Sequence, residues 1–316
     1  MSTVALASAL GALPSRFRRE RLLIVGYGDV GQRVARSLLA GPGARRLRVL
    51  ALTSQAGRVG GLRAQGVTPL VGNLDRAATL RRLSGLATRV LHLAPPPGEG
   101  GGGSAWWRDP RTVALARALR LRSLPVSAVY ASTSGVYGDC AGARVPETRA
   151  VAPSTPRAQR RVDAERAWRH LGRSGVRASI LRIPGIYAPD REGGTPEARL
   201  RKGTPVLTAQ DDVYTNHIHA DDLARACLAA LWRGRPQRVY NASDSGELKM
   251  GDYFYLAADL YGLPRPPRVP RSTAQDALPL MLLSFMSESR RLDNQRLLGE
   301  LGLRLRYPTV ATGLRA

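Results

Sequence analysis

Three glycines, at positions 26, 28 and 31, have the spacing that most clearly indicates chemistry. They follow the apolar run Arg21–Val25 and precede Gln32–Ala40, whose apolar residues have helical spacing. A strand that enters a helix through G-x-G-x-x-G permits a tight turn, close approach of the backbone to a pyrophosphate, and close packing of helix on strand. Free N–H groups at the helix start then favour phosphate. The pattern predicts a dinucleotide site, with a purely structural turn as the alternative. The residues expected to contact the cofactor here are Gly26, Gly28, Asp29, Val30 and Gly31.

The end of the next predicted strand, Leu47–Leu52, indicates which dinucleotide is preferred. An NAD site usually has an acidic residue about twenty positions after the glycines, where it binds the ribose 2′-hydroxyl. This chain has Thr53 and Ser54 there, with Arg58 shortly after. Because hydroxyls and a cation suit a 2′-phosphate, we expect NADP to be preferred over NAD. The alternative is that Arg58 is one surface arginine among many.

The elements that position these residues alternate along the chain. Short apolar runs that read as strands are separated by segments with helical spacing, among them Ala77–Leu86, Pro110–Leu121 and Arg157–Leu171. Such alternation predicts parallel βαβ units. The expected fold class is α/β, a Rossmann-type doubly wound parallel sheet of about seven strands with a smaller C-terminal substrate lobe.

The same patterns predict domain boundaries. Residues 1–20 are expected to form a leader, 21–185 an NAD(P)-binding Rossmann domain, and 186–316 the smaller substrate lobe, from which 215–242 return to the sheet. The Pro- and Gly-rich stretch 95–104 is expected to be a loop.

Composition limits the classes of partner. The 316 residues include 48 Lys and Arg against 24 Asp and Glu, for a net charge of +24, and nearly all the basic residues are arginines. They are spread along the chain and form no stripe with aromatic residues, so we interpret them as a solvated basic surface and expect no specific nucleic-acid partner. Two cysteines and four histidines without a zinc-ligand pattern predict free thiols and no metal.

Targeting and membrane signals are weak. No run reaches the roughly 18 uncharged residues that a membrane-spanning helix needs. The apolar stretch from Val4 to Leu13 has no basic segment before it, so we expect neither a secretory signal nor a membrane association, and a cytoplasmic location.

Five further segments carry a resemblance to a known family. In chain order they are Val71–Leu74, Val90–Ala94, Tyr130–Gly138, Leu181–Pro189 and Asn216–Leu223. Together with the glycine pattern they resemble the extended short-chain dehydrogenase/reductases, the NAD-dependent epimerase/dehydratase group. The resemblance implies the roles of several residues: Asn73 and Leu74 beside the adenine, Leu93 and Ala94 under the cofactor, Pro184 near the nicotinamide, and Thr133 at the catalytic Ser/Thr position.

The family's acid/base pair is missing from this chain. In the family it is Y-x-x-x-K at the start of a long helix, usually followed four residues later by Glu. When Glu165 is taken as that Glu, Arg161 stands at the Lys position and Arg157 at the Tyr position. A guanidinium stays protonated and only donates hydrogen bonds, so Arg157 cannot replace a phenol that passes protons. The chain therefore resembles the atypical branch of the family.

Other residues must then take part in any reaction. Arg161 is expected to bind the nicotinamide ribose as a cation, and Thr133 a substrate oxygen. Tyr137 is the candidate substitute proton donor, but we favour a packing residue whose hydroxyl is satisfied by a hydrogen bond. His219 is interpreted as a cap of the helix that begins there.

The family resemblance and the missing acid/base pair together lead to two candidate functions. The first is an NADP-dependent oxidoreductase or epimerase/dehydratase-like protein that acts on a small or sugar-like molecule, with a homodimer as a possible assembly. The alternative is a non-catalytic NADP(H)-binding sensor or regulatory protein.

Overall fold

The computed structural model describes residues 20–41, 47–98, 105–277, 283 and 286–316. The predicted leader up to residue 19 and positions 99–104 of the predicted loop lie outside these ranges.

Seven strands form one parallel sheet, in the order β3-β2-β1-β4-β5-β7-β11. Their runs are apolar because helices cover both faces of the sheet, and all four residues of β4 are buried. Strand order reverses between β1 and β4, which opens a crevice at the carboxyl edge of the sheet. The predicted Rossmann-type doubly wound sheet is confirmed. The strands are β1 (Glu20–Val25), β2 (Leu47–Thr53), β3 (Thr68–Val71), β4 (Arg89–His92), β5 (Ser127–Thr133), β7 (Arg177–Ile183) and β11 (Arg238–Asn241).

Two of the helices that cover the sheet begin at a residue whose side chain caps them. Asp109 caps the helix that starts at Pro110, and Thr155 caps the one that starts at Pro156, so each has proline in its first turn. None of the helices among the described residues is long and apolar enough to cross a membrane. The helices are α1 (Asp29–Leu39), α2 (Val59–Ala64), α3 (Pro110–Leu119), α4 (Pro156–Gly172), α5 (Glu197–Arg201), α6 (Ala220–Arg233), α7 (Met250–Tyr261) and α8 (Arg271–Ala277), with two short turns at Gln295–Gly299 and Val310–Gly313.

One predicted α-helix has a different form. The segment Ala77–Leu83 is a 3-10 helix rather than an α-helix. The Thr79 hydroxyl contacts the carbonyl oxygens of Arg76 at 2.7 Å and Asn73 at 3.0 Å. Side-chain bonds of this kind compete with the regular helical pattern. Two further 3-10 segments occur, at Ala56–Arg58 and Ser134–Tyr137.

Residues after β7 also build a second hydrophobic core beside the sheet. It joins side chains of α5 and α7 to the short strands, with Leu200, Val206 and Phe254 almost fully buried. The short strands outside the main sheet, of which β6 comes before β7 in the chain, pair in parallel two by two. Each is too short to show a period of two in the sequence. The pairs are β8 (Gly185–Tyr187) with β10 (His217–His219), β9 (Val206–Leu207) with β12 (Arg268–Val269), and β6 (Arg144–Val145) with β13 (Arg291–Leu292).

A buried ion pair fixes α4 against the sheet. Arg182, on β7, donates to both carboxylate oxygens of Glu165 at 3.1 and 2.8 Å, and Ser132, on β5, donates to the same carboxylate at 2.7 Å. The side chains of Glu165 and Arg182 are 5% and 4% exposed. Because the pair is bidentate and carries a third hydrogen bond, the carboxylate charge is compensated inside the protein.

Removing the carboxylate should destabilise the fold strongly. Glu165→Ala leaves the Arg182 guanidinium buried without its anion, which typically costs about 3–5 kcal/mol. Urea unfolding followed by circular dichroism measures the free energy of unfolding. The double variant Glu165→Leu/Arg182→Met should recover part of the loss, since it removes both charges. A loss below about 1 kcal/mol in the single variant would show that the pair does not hold α4.

Candidate functional site

The glycine loop has the three constraints that the sequence pattern predicts. Gly26 has a φ of +96°, and a Cβ there would lie 2.8 Å from the Ala94 Cα, so only glycine lets the β1 loop pass the end of β4. A Cβ on Gly31 would lie 3.0 Å from the Gly26 carbonyl oxygen, which is the close helix-on-strand contact. Among the residues that the structure describes, no atom lies within 4 Å of a Cβ placed on Gly28. The surface at Gly28 is therefore open, where a pyrophosphate would approach.

The start of α1 offers N–H groups next to that open surface. Gly28 is the N-cap and has no side chain to satisfy them. The carboxylate of Asp29, in the first turn, would repel a pyrophosphate, but it accepts from Arg33 at 3.0 Å and from Arg191 at 2.8 Å. Val30 follows it in the same turn and is half-buried. The two arginines neutralise the acid beside the phosphate position.

Arg33 connects three parts of the chain. Besides Asp29 it donates to Asp190, in the loop after β8, and to Asp221, at the start of α6, both at 2.6 Å. It is only 5% exposed. The Asp29–Arg33 spacing of four residues is recognisable in the sequence as a helical ion pair, but the other two partners are far away in the chain.

The residues proposed to select the cofactor lie at the end of β2. Thr53 is 5% exposed, and its hydroxyl forms a local turn with Gln55. Ser54 is exposed. The guanidinium of Arg58 donates to the Tyr27 carbonyl oxygen at 2.9 Å. This bond places the Arg58 charge beside the glycine loop rather than in distant solvent.

The residues expected to border the adenine and the cofactor plane lie at the neighbouring strand ends. Asn73 follows β3, and its side chain accepts from the Asp75 N–H at 2.9 Å. Leu74 is half-buried against the core. Beyond β4, the N–H groups of Leu93 and Ala94 both donate to the Val25 carbonyl oxygen, at 2.7 and 3.0 Å. These bonds hold the end of β4 against the glycine loop.

Thr133 is half-buried at the carboxyl end of β5. Its hydroxyl accepts from the Gly135 N–H at 3.3 Å and keeps its own proton for another partner. Pro184 lies between β7 and β8, at the same edge of the sheet, and is half-buried. Both residues therefore stand at the edge where open α/β sheets bind ligands.

The two arginines at the family's Tyr and Lys positions have different surroundings. Arg161 is 7% exposed, and its Nη1 donates to the Ala131 carbonyl oxygen at 2.6 Å and to the Tyr130 hydroxyl at 3.1 Å. Arg157, one turn earlier on α4, is exposed. Partial burial and the nearby charge of Arg161 lower the pKa of Arg157.

The tyrosines near the site are packing residues by their contacts. Tyr137 is 1% exposed, and its hydroxyl donates to the Asn241 side chain at 2.8 Å. Burial raises the pKa of Tyr137, which opposes proton release. Tyr187 is 2% exposed and donates to the Thr309 carbonyl oxygen. This geometry fits the packing interpretation of Tyr137 better than the role of a proton donor.

His219 caps α6, as the sequence indicates, by accepting the Asp221 N–H through Nδ1.

A buried acid that sequence reasoning missed follows β11. Asp244 accepts the Gly246 N–H through Oδ1, while Oδ2 has no hydrogen-bond partner among the described residues. Burial raises the pKa of Asp244 to about 8. Nothing in the sequence marks this aspartate, because its burial depends on the tertiary fold.

Within the part of the chain that the structure describes, no group of three His, Cys, Asp or Glu side chains is arranged to hold a metal ion.

Comparisons with known proteins agree with this geometry. The family model for the NAD dependent epimerase/dehydratase family matches residues 22–243. No curated protein matches the chain. A structure of a functionally unknown conserved protein from Silicibacter pomeroyi DSS is 28% identical, with 93% of this chain and 96% of that chain covered and a TM-score of 0.72.

Two more distant structures share the fold. A dTDP-glucose 4,6-dehydratase from Streptomyces venezuelae, with NAD bound, is 22% identical, with 93% and 96% of the two chains covered and a TM-score of 0.73. A UDP-glucuronic acid 4-epimerase from Bacillus cereus, in complex with NAD, is 17% identical, with 94% and 96% covered and a TM-score of 0.71. The sheet and its glycine loop define a Rossmann-type α/β protein. The chain belongs to the NAD-dependent epimerase/dehydratase family.

The glycines give a paired prediction. Gly28→Val should fold normally, because the added side chain enters open space, but should abolish binding of NADPH by occupying the pyrophosphate position. Gly26→Ala should instead lower the free energy of unfolding, since its Cβ would meet the backbone at Ala94. NADPH fluorescence titration and thermal unfolding measure the two effects. Unchanged NADPH affinity in a folded Gly28→Val protein would contradict the dinucleotide site.

Asp244 gives a prediction for the dependence of stability on pH. Its pKa is raised from 3.8 to about 8 in the folded protein, so the folded state retains a proton that the unfolded state has lost. The contribution of Asp244 to the free energy of unfolding is fully present below its pKa in the unfolded state. It is lost as pH rises from there through its pKa in the folded state, by at most about 1.4 kcal/mol per pH unit. Asp244→Asn should remove this part of the pH dependence. If the free energies of unfolding of the wild type and of Asp244→Asn differ by a constant amount from about pH 5 to 9, the predicted role of Asp244 is refuted.

Proposed function

We propose that this protein binds NADP(H) and acts as an oxidoreductase or epimerase/dehydratase-like enzyme on a small or sugar-like molecule. The observation that carries the proposal is the open surface at Gly28. It lies between Gly26, which must approach Ala94, and Gly31, through which α1 approaches the Gly26 carbonyl oxygen. A Cβ would fill this cradle, and the uncapped N–H groups of α1 border it. When bound, the cofactor would supply or accept hydride.

The preference for NADP is supported by charge. Arg58 lies beside the glycine loop through its bond to the Tyr27 carbonyl oxygen, and the exposed Ser54 hydroxyl is its neighbour in the chain. An acidic residue at this position would repel a 2′-phosphate, and Thr53 and Ser54 carry no charge. A guanidinium with a hydroxyl is a good phosphate-binding pair.

The residues that would act on a substrate are Thr133 and Arg157. The Thr133 hydroxyl keeps a proton to donate to a substrate oxygen at the carboxyl edge of the sheet. Arg157 would stabilise negative charge that develops on that oxygen, because its guanidinium donates hydrogen bonds and carries a permanent charge. Neither group removes a proton as the family's tyrosine does, so proton exchange would occur with solvent or with the substrate itself.

The second candidate function is a non-catalytic NADP(H) sensor. The specific observation in its favour is that Tyr137 and Tyr187, two tyrosines that follow Thr133 in the sequence, have buried and occupied hydroxyls. A cofactor site without a phenolic acid/base suits a protein that responds to cofactor occupancy. A panel of carbonyl compounds and nucleotide sugars separates the two functions, because only the enzyme converts a substrate. NADPH absorbance detects a net reduction, and chromatography of the products detects an epimerisation or dehydration, which regenerates the cofactor and leaves the absorbance unchanged.

We also propose that the second hydrophobic core, beside the sheet, serves to bind the substrate. The core of α5, α7 and the short strands would form the substrate lobe in residues 186–316, while 215–242 return to the sheet through β11. Nucleotide sugars are the proposed substrate class because a dTDP-glucose 4,6-dehydratase and a UDP-glucuronic acid 4-epimerase share the fold.

The two buried free cysteines support a reducing location such as the cytoplasm.

Cofactor preference is tested with Arg58→Ala. The variant loses a charge-assisted phosphate contact worth about 1.5–3 kcal/mol, so NADPH affinity should fall about 10- to 150-fold. NADH affinity should change little, because NADH has no 2′-phosphate. Isothermal titration calorimetry of both cofactors with both proteins gives the four affinities. Equal affinity of the wild type for NADH and NADPH, or an equal loss of both in the variant, would refute the preference.

A further inference from the structure

One face of α4 carries three charged residues at intervals of four. Arg157, Arg161 and Glu165 occupy positions i, i+4 and i+8, which lie above one another on a helix. Glu165 is bound by Ser132 and Arg182, and Arg161 by Ala131 and Tyr130. Two of the three side chains are thus fixed against β5 and β7. Arg157 continues the same row toward the helix start.

The start of α4 lies beside Thr133. The helix runs opposite to the parallel strands, so its first turn is at the carboxyl edge of the sheet. A Cβ on Gly135 would lie 3.7 Å from the Thr133 side chain and 4.0 Å from the Ala158 Cβ, so the Thr133 turn packs on the residue next to Arg157. Arg157 therefore starts beside the Thr133 turn, on the helix face that also carries Arg161.

The charge of Arg157 has no counterion among the residues that the structure describes. Arg157 makes no hydrogen bond or ion pair there, although it is partly surrounded by protein. The nearest carboxylate on its own face, Glu165, is fully used by Arg182 and Ser132. Its neighbour Arg161 adds a second positive charge, and the Nε of Arg161 is buried without a partner in the same described region. The buried acid Asp109 interacts electrostatically with Arg161, so of the two guanidiniums Arg157 is the one with no facing acid among the described residues.

We infer that Arg157, supported by the charge of Arg161, binds an anionic oxygen group of the substrate, a carboxylate or a phosphate, next to Thr133. The inference rests on the proposed function and adds the substrate class to it. A guanidinium presents paired N–H donors that match such groups, and the buried charge behind it strengthens the attraction. The residue that replaces the family's proton-transferring tyrosine is then a specificity residue, which selects substrates with an acidic group close to the reacting centre.

The test is anion binding by the cofactor-loaded protein. NADPH-saturated protein is titrated by calorimetry with oxalate and, separately, with inorganic phosphate. We expect one site in the millimolar range whose affinity falls at least about tenfold in Arg157→Gln and less in Arg157→Lys, which keeps the charge but loses the paired donors. Tighter binding of oxalate indicates a carboxylate substrate, and tighter binding of phosphate a phosphorylated one. Either result supports the inference.

The matched control is Arg166→Gln. Arg166 is exposed on the same helix and is outside the row of Arg157. It removes one positive charge, as Arg157→Gln does, and so corrects for nonspecific attraction to a protein with net charge +24. An equal loss of anion affinity in the two variants would overturn the inference. Anion binding that NADPH abolishes in the wild type would also overturn it, because the arginines would then hold the cofactor. Circular dichroism checks that both variants fold.

Failure of the proposed function gives a different result. If NADPH does not bind, the cofactor proposal fails, and the same titrations on the cofactor-free protein decide the arginine site. Loss of oxalate or phosphate binding in Arg157→Gln but not in Arg166→Gln would still support it. Equal binding by the wild type and both variants would overturn it.

Discussion

The buried ion pair between Glu165 and Arg182 ties the middle of α4 to the carboxyl ends of β5 and β7. Both charges are removed from water, so the pair is stable only when both partners are present and well oriented. This requirement fixes the rotation of α4 about its axis. Because residues four apart share a face, the same rotation directs Arg161 onto the β5 backbone and Arg157 toward the crevice. The chemistry of the site thus depends on a contact two turns away from it.

A second ionic cluster makes the other side of the crevice suitable for phosphate. Asp29 lies in the first turn of α1, where an anionic ligand would meet a carboxylate, and Arg33 and Arg191 compensate it. Since Arg33 also binds Asp190 and Asp221, the loop after β8 and the start of α6 are held at the same place. The cofactor half and the following chain are joined through one buried guanidinium. The two walls of the crevice are therefore positioned by separate arginines, Arg182 and Arg33.

The sequence predicts the sheet well, because parallel strands buried on both faces are continuous apolar runs and the glycine loop has a steric cause. The placement of Arg157 and Arg161 at the family's Tyr and Lys positions depends on Glu165 as the alignment point, and it stays a prediction. The sequence does not predict the partners of Arg33, the burial of Asp244 or the occupied hydroxyl of Tyr137, since each depends on contacts between residues far apart in the chain. The 3-10 form of Ala77–Leu83 is also missed, because the Thr79 hydroxyl competes with helical hydrogen bonds.

We propose that a dinucleotide lies across the carboxyl edge of the sheet, with its pyrophosphate at Gly28 and its nicotinamide near Thr133 and Arg157. A crystal structure of the wild-type protein with NADPH would show whether it does. We expect pyrophosphate oxygens within hydrogen-bond distance of the first N–H groups of α1, and a nicotinamide ring that faces the Thr133 hydroxyl and leaves Arg157 open to a substrate. A pyrophosphate bound away from Gly28, or a nicotinamide ribose that occupies Arg157, would contradict the account.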